Sequence, residues 1–429
     1  MSETTLLKNW LQSFVQMLRD YWDKVRAFRP NARLFLLNVI LTGISMGVFR
    51  LLFNFYVLSL GFDEALVGRL ISVSSTTALI SALPMGYLAD ILGRKYSLVL
   101  GGLLTAFSVV GVVIWPTEPS LYGMNVFSGL GQGLWGITMS PFLMENSGEK
   151  ERTYLFSFSQ GLQMLSAFFG NAIGGYLPGM IGRQMDADAT SSSAYGWSLV
   201  VVAATFALGI APLFRLRRQR LESDQRSVFA PIKYAVENPA LLGKLIMPLL
   251  ITSIGAGLVM PFMNVFYRVV HHQSDPVIGN LFAWGSLAMG VGLLIAPPLA
   301  DRFGKIPIVV VTQALSVPFL ALLGFSPLFW ISAGAYYVRL ALMNMSTPVY
   351  QTFVMERVDA SARGTVASLS SMAWNFGWAL SPALSGYLQV NYGFGPAFVI
   401  TITLYTVAIS MYWAFFWRKQ PERITNGIS

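Results

Sequence analysis

Gly86-Tyr87-Leu88-Ala89-Asp90-Ile91-Leu92-Gly93-Arg94-Lys95 is the stretch on which the reading of this chain turns. One apolar run stops near Ala82 and the next begins near Leu98. Ten residues holding an acid, two glycines and two adjacent bases do not lie in hydrocarbon, where backbone bent away from helix leaves polar groups unpaired. The expected structure is a tight loop at a membrane surface, joining two spanning helices.

Working outward, 54% of the 429 residues are apolar and only 11% are charged, with a mean hydropathy of +0.57. Soluble domains carry charge on about a quarter of their residues, so the expected class is an all-α membrane protein. A span needs about 20 apolar residues. Runs of that length fall near 34–60, 65–88, 96–115, 121–144, 153–178, 195–214, 243–268, 277–299, 306–327, 329–353, 364–389 and 395–417, which predicts twelve transmembrane helices. The net charge of +9 points to topology rather than to nucleic acid. With both termini placed in the cytoplasm, 24 of the 29 lysines and arginines fall on that side, as the excess of basic residues in cytoplasmic loops requires. No cysteine is present, so thiol chemistry is excluded. In the first 33 residues Leu7, Trp10, Leu11, Phe14, Val15, Leu18 and Trp22 recur at helical spacing among charges; the expectation is an amphipathic helix lying on the cytoplasmic leaflet.

A shift of 211 positions brings the decamer onto a second copy: Leu88, Ala89, Asp90 and Gly93 meet Leu299, Ala300, Asp301 and Gly304, with Arg94 opposite Lys305. Farther on, Phe142, Met144, Glu145 and Arg152 meet Phe353, Met355, Glu356 and Arg363. A shift of 210 near the start aligns Thr42, Ile44, Gly47 and Asn54 with Thr252, Ile254, Gly257 and Asn264. Charged and glycine positions repeating in one register mean duplication. The expected organisation is a cytoplasmic segment 1–33, a six-helix half 34–214, a basic cytoplasmic linker 215–242, a second six-helix half 243–417 and a tail 418–429.

The pattern Gly-x-Leu-Ala-Asp-x-x-Gly-Arg-Lys resembles the loop between helices 2 and 3 of the major facilitator superfamily, departing from it mainly at Ile91. That resemblance covers residues 34–417 and implies a twelve-helix transporter of two pseudo-repeated halves, with the substrate between them near the bilayer midplane. It also implies a cytoplasmic gate. Asp90 is expected at the N-terminus of span 11 and Asp301 at that of span 5, where a carboxylate meets the positive end of the helix dipole. Glu145 and Glu356 stand ready to pair with Arg94 or Arg152 and with Lys305 or Arg363; loop punctuation is the alternative reading of all these charges. Span 5 carries Gly170-Asn171-Ala172-Ile173-Gly174-Gly175, which resembles an antiporter element of the superfamily with Asn171 in place of its proline, and implies a close helix seam.

Ionisable residues inside spans are functional candidates by default. Arg50 lies about midway along span 1, with Asn54 one turn later, and Arg339 lies in the outer half of span 10. Spans 1, 4, 7 and 10 line the cavity in transporters of the kind this chain resembles, so Arg50, Asn54, Gln132, Trp135, Asn264, Arg339, Asn344 and Tyr350, with Trp374 and Asn375 of span 11, form the expected substrate site. A tie to helix carbonyls is the alternative for Arg50, and snorkelling to the outer surface the alternative for Arg339. His271 and His272 are expected on the outer surface. No acid lies within a span away from its ends, no nucleophile stands beside a base, and no nucleotide-binding loop is present. The expectation is therefore a monomeric secondary transporter of the cell (plasma or inner) membrane, with no catalytic residue, metal or cofactor. Its partners are the lipid bilayer and a small amphipathic or anionic organic solute, and export is preferred. The alternatives are an organic-anion facilitator or exchanger using Arg50 and Arg339, and a receptor of the same fold that does not transport.

Overall fold

The computed structural model describes residues 28–148, 152–217, 238–358 and 363–418. The segment 1–33 is described only from residue 28, and the linker 215–242 only at its edges. Among the described residues twelve long helices follow one another: α1 Pro30–Ser59, α2 Glu64–Leu92, α3 Arg94–Ile114, α4 Glu118–Glu145, α5 Arg152–Gln184 and α6 Ser192–Phe214. Then come α7 Pro239–Val269, α8 Asp275–Phe303, α9 Lys305–Phe325, α10 Phe329–Glu356, α11 Arg363–Tyr392 and α12 Gly395–Tyr412, the last running on through a π turn to Trp417. Eight of the twelve are apolar enough by themselves to cross a membrane; α4, α5, α10 and α11 are not among them. Those four hold many of the Gly, Ser, Asn and Gln residues that face other helices.

The decamer is not a loop, which corrects the expectation. α2 continues through Leu92, and Gly93 alone leaves the helix before α3 starts at Arg94. A 29-residue helix is about 43 Å long at 1.5 Å per residue, more than the ~30 Å of hydrocarbon, so its last turns project beyond lipid and carry their charges as helix. Gly93 has φ +78° and its repeat Gly304, between α8 and α9, has φ +92°. Side chains strongly disfavour that backbone region, which is why a one-residue connection between helices takes glycine at both places. α7 is also broken, by the 3-10 turn Met260–Phe262, where Pro261 lacks the N–H that would continue the helix.

Packing repeats along with the sequence. α1 packs on α5 and α6, α2 on α4, and α3 on α4 and α6; in the second half α7 packs on α11 and α12, α8 on α10, and α9 on α10 and α12. The two halves meet through α2 against α11 and α5 against α8. The end of the bundle that carries Arg94, Lys95 and Lys305 is termed here the basic end, and the opposite one the far end. A single apolar core spans both halves at the far end, joining Leu51, Tyr56 and Leu66 to Leu258, Phe262 and Tyr267. At the basic end the cores are separate. Phe35, Leu98 and Phe142 belong to one, and Leu245, Val309 and Tyr350 to the other. The same end leaves Ile80 and Tyr87 of α2 and Leu294 of α8 more than two-thirds exposed. The molecule is thus shut at the far end and splayed at the basic end.

Candidate functional site

Directly beneath the far-end closure, α1 and α7 exchange side-chain amides in a reciprocal clasp. Asn54 Nδ2 donates to the Pro261 carbonyl at 2.7 Å and to Asn264 Oδ1 at 2.9 Å. Asn264 Nδ2 donates back to the Leu51 carbonyl at 2.8 Å. Each asparagine therefore bonds the carbonyl three residues before the other, and the two are equivalents in the internal repeat. Pro261 belongs to the break in α7, so the interruption of that helix presents a carbonyl that a continuous helix would have used itself. Both asparagines are buried, and their amides engage each other rather than a cleft.

A second closure lies farther out. Arg268, in the last turn of α7, donates to Tyr195 Oη of α6 at 2.6 Å and forms an ion pair with Asp275 at the start of α8. The Tyr195 hydroxyl donates to Asp275 Oδ2 at 2.7 Å, and the guanidinium sits 3.3 Å from the centre of the Phe55 ring. The halves are further joined by the Ala383 N–H on Ser72 Oγ (3.0 Å) and by Asn280 on Tyr176 Oη (2.9 Å). Close approach of small residues completes the seam: a Cβ on Gly68 would come within 2.2 Å of the Pro382 carbonyl oxygen, and one on Gly279 within 2.7 Å of that of Asn171. Of the glycine-rich element on α5, Gly175 faces α8 across the seam, whereas Gly170 and Gly174 face α1.

Arg50 sits one turn toward the basic end from Asn54. Val48, Leu51 and Leu52 around it are buried, yet Arg50 itself is exposed, deep within the bundle. It has no hydrogen bond, ion pair or ring partner among the described residues. A guanidinium surrounded by protein at this depth and open to solvent faces an aqueous cleft, and here the cleft opens toward the basic end. Gln132, Trp374 and Asn375 are exposed as well, and Asn344 is half-buried. Gln132 donates to Ser128 Oγ and Asn344 to the Leu340 carbonyl, each on its own helix.

Other expected residues sit in packing. Trp135 stacks on Phe35 with 6.2 Å between ring centres. Tyr350 is buried, donating to the Leu245 carbonyl at 2.5 Å and packing edge-on against Tyr412. Arg339 is 2% exposed; one Nη meets Tyr405 Oη and the other Met260 Sδ, each at 3.0 Å, while Nε is buried without an acceptor. It neither snorkels to the surface nor reaches the cleft in this conformation. His271 corrects an expectation of surface exposure: Phe266, Tyr267 and Phe329 enclose its ring, because the chain after α7 folds back under the start of α10, and only His272 is exposed.

At the basic end the two copies of the decamer pair alike. Arg94 Nε donates to Glu145 Oε1 at 2.9 Å, and Lys305 forms an ion pair with Glu356. Glu145 Oε2 is buried with no partner. Asp301 is exposed. The side chains of Asp90, Arg152 and Arg363 lie outside the described residues. Among the described residues, no three His, Cys, Asp or Glu side chains are grouped to hold a metal ion.

Sequence reading missed Tyr195 and Asp275. The pairing of Arg268 with an acid seven residues on was legible in principle, as two opposite charges flanking one short loop. The tyrosine 80 positions away from that acid was not.

A family model described as Major Facilitator Superfamily matches residues 35–274 and 249–427. The chain is 23% identical over 417 residues to the multidrug resistance protein MdtG of Dickeya zeae, covering 93% of this chain and 97% of that one. Among solved structures it superposes on the nucleoside transporter NupG with a TM-score of 0.74 at 14% identity, covering 90% of this chain and all of that one. It also superposes on the inward open conformation of the xylose transporter XylE from E. coli with a TM-score of 0.70 at 15% identity, covering 90% and 95% of the two chains. At such identities these structures speak for the fold alone.

Proposed function

This chain belongs to the Major Facilitator Superfamily, and on that premise we propose that it is a secondary active transporter moving a small amphipathic or anionic organic solute by alternating access. The observation that carries the charge preference is Arg50, a cation open to the cleft with no partner among the described residues. Gln132, Asn344, Trp374 and Asn375 supply polar and aromatic surface for the same solute. The joined core at the far end and the divided core at the basic end support a carrier caught with its cleft open on one side.

The concentration of Lys and Arg at the basic end supports its facing the cytoplasm, with both termini there, the halves at 34–214 and 243–417, and the clasp toward the outside. In that orientation the structure is inward-open. Asp90 and Asp301, with the Arg94–Glu145 and Lys305–Glu356 pairs and with Arg152 and Arg363, would form the gate that closes the cytoplasmic side in the opposite state. Asn54 and Asn264 serve the solute as the ceiling of the cleft rather than as free ligands in this state. Similarity to a protein named for multidrug resistance favours export.

Reconstituted protein tests the reading. Arg50→Gln is expected to abolish transport of organic anions. Anion transport unchanged in the variant, at equal protein content, would remove Arg50 from the site.

A further inference from the structure

The charge balance around Arg50 bears on how the carrier changes sides. Every acidic side chain described stands at a helix end or in a loop. Asp275 is committed to Arg268 and Tyr195, Glu145 to Arg94, Glu356 to Lys305, Asp63 to the amide of Leu66, and Glu118 lies beside Arg69. In the whole sequence no Asp or Glu falls inside a span away from its ends. Asp301 is exposed in the last turn of α8, and among the described residues no acid stands beside Arg50 to neutralise it. While the cleft is open, water screens it. To turn outward, the basic end must close over Arg50 before the far-end clasp one turn above it opens, and in that closed intermediate the guanidinium is shut in protein. A buried charge without a counter-charge is strongly disfavoured, whereas a seated anion removes the penalty and adds charge-assisted hydrogen bonds.

We infer that Arg50 makes this carrier an obligatory anion exchanger, which changes sides only with an anion on the guanidinium and so returns only with another. The inference rests on the proposed transport of anions and decides between its facilitator and exchanger forms. Loaded carriers alternate; empty ones wait.

Two measurements test it in the full chain, which has no cysteine to remove. Val57 is buried above the clasp on the face of Asn54, and Val57→Cys reports opening of the far end through its labelling by a membrane-impermeant maleimide. In a zwitterionic buffer with no added salt, adding Arg50→Gln is expected to raise the labelling rate tenfold or more, and Arg50→Lys, which keeps the charge, to leave it near that of the parent. Equal rates in the parent and Arg50→Gln, or a lysine variant as fast as the glutamine one, would overturn the inference. In proteoliposomes, labelled benzoate is the probe. Uptake into vesicles preloaded with unlabelled benzoate is expected to exceed uptake into benzoate-free vesicles at least tenfold. Equal uptake that is still lost in Arg50→Gln overturns obligatory exchange and leaves the anion site standing. If benzoate enters neither set of vesicles, the labelling rates decide alone: a tenfold rise confined to Arg50→Gln upholds the inference, and equal rates overturn it.

Discussion

Breaking the Asn54–Asn264 clasp should move the whole carrier. Three hydrogen bonds cross between the halves here, at 2.7, 2.9 and 2.8 Å, and side-chain hydrogen bonds between membrane helices are worth roughly 1 kcal/mol each. Asn54→Ala removes two of them. Asn264 Oδ1 keeps the amide of Val265 as a donor, but the Pro261 carbonyl loses its side-chain partner in the dry core. The far-end-closed state should lose about 2 kcal/mol, and since ~1.4 kcal/mol is a factor of ten, the equilibrium should shift about 30-fold toward the far-end-open state, in which both amides are hydrated. Asn264→Ala should act similarly. The double variant should cost less than the sum of the two, because the 2.9 Å bond is counted in both, and coupling of about 0.5–3 kcal/mol is usual for residues in contact. Spin labels at Pro116 and Pro327, exposed repeat equivalents in far-end loops, read the change as a longer distance population by pulsed electron resonance. An unaltered distance distribution in both single variants, or strict additivity in the double, would refute the clasp as a device that holds the far end shut.

Further expectations concern other parts of the same machine. Gly279→Val places a side chain where even a Cβ meets the Asn171 carbonyl oxygen at 2.7 Å; it should lengthen the same label distance, whereas Gly86→Ala, with nothing within 4 Å, should not. The proposed gate predicts that Asp90→Asn lowers turnover without abolishing substrate binding, since a carboxylate at a helix N-terminus is worth about 0.3–2 kcal/mol; unchanged transport at normal expression would discard Asp90 as a gate residue. Burial, and then neighbouring His272, push the His271 imidazole below its ordinary value. The unfolded chain therefore binds a proton that the folded one refuses, so stability is full above about pH 6.5 and falls as the pH drops below it. Thermal melts across that range should show the loss, and His271→Phe should flatten it.

Membrane class, span count and duplication were legible because each is written locally or in register. Hydropathy marks a span without reference to its neighbours, and the offset of 211 between Asp90 and Asp301 needs no coordinates. The repeat even aligned Asn54 with Asn264, though as equivalents and not as partners. Where the decamer was misread, the reason is also local: helix length is not capped by hydrocarbon thickness, so the charged turns before Gly93 stayed helical.

What the chain alone determined is thus the list of helices, their orientation relative to one another along the sequence, and the shortage of acids to balance Arg50. Tertiary structure decided which faces meet. It buried Arg339 against Tyr405 and Met260, enclosed His271 in aromatic rings, and brought Tyr195 to Arg268 and Asp275. Such contacts depend on rotation of long helices about their own axes and on the break at Pro261. Apolar periodicity is nearly silent on that rotation in lipid, because both the lipid-facing and the packed side of a helix are hydrophobic.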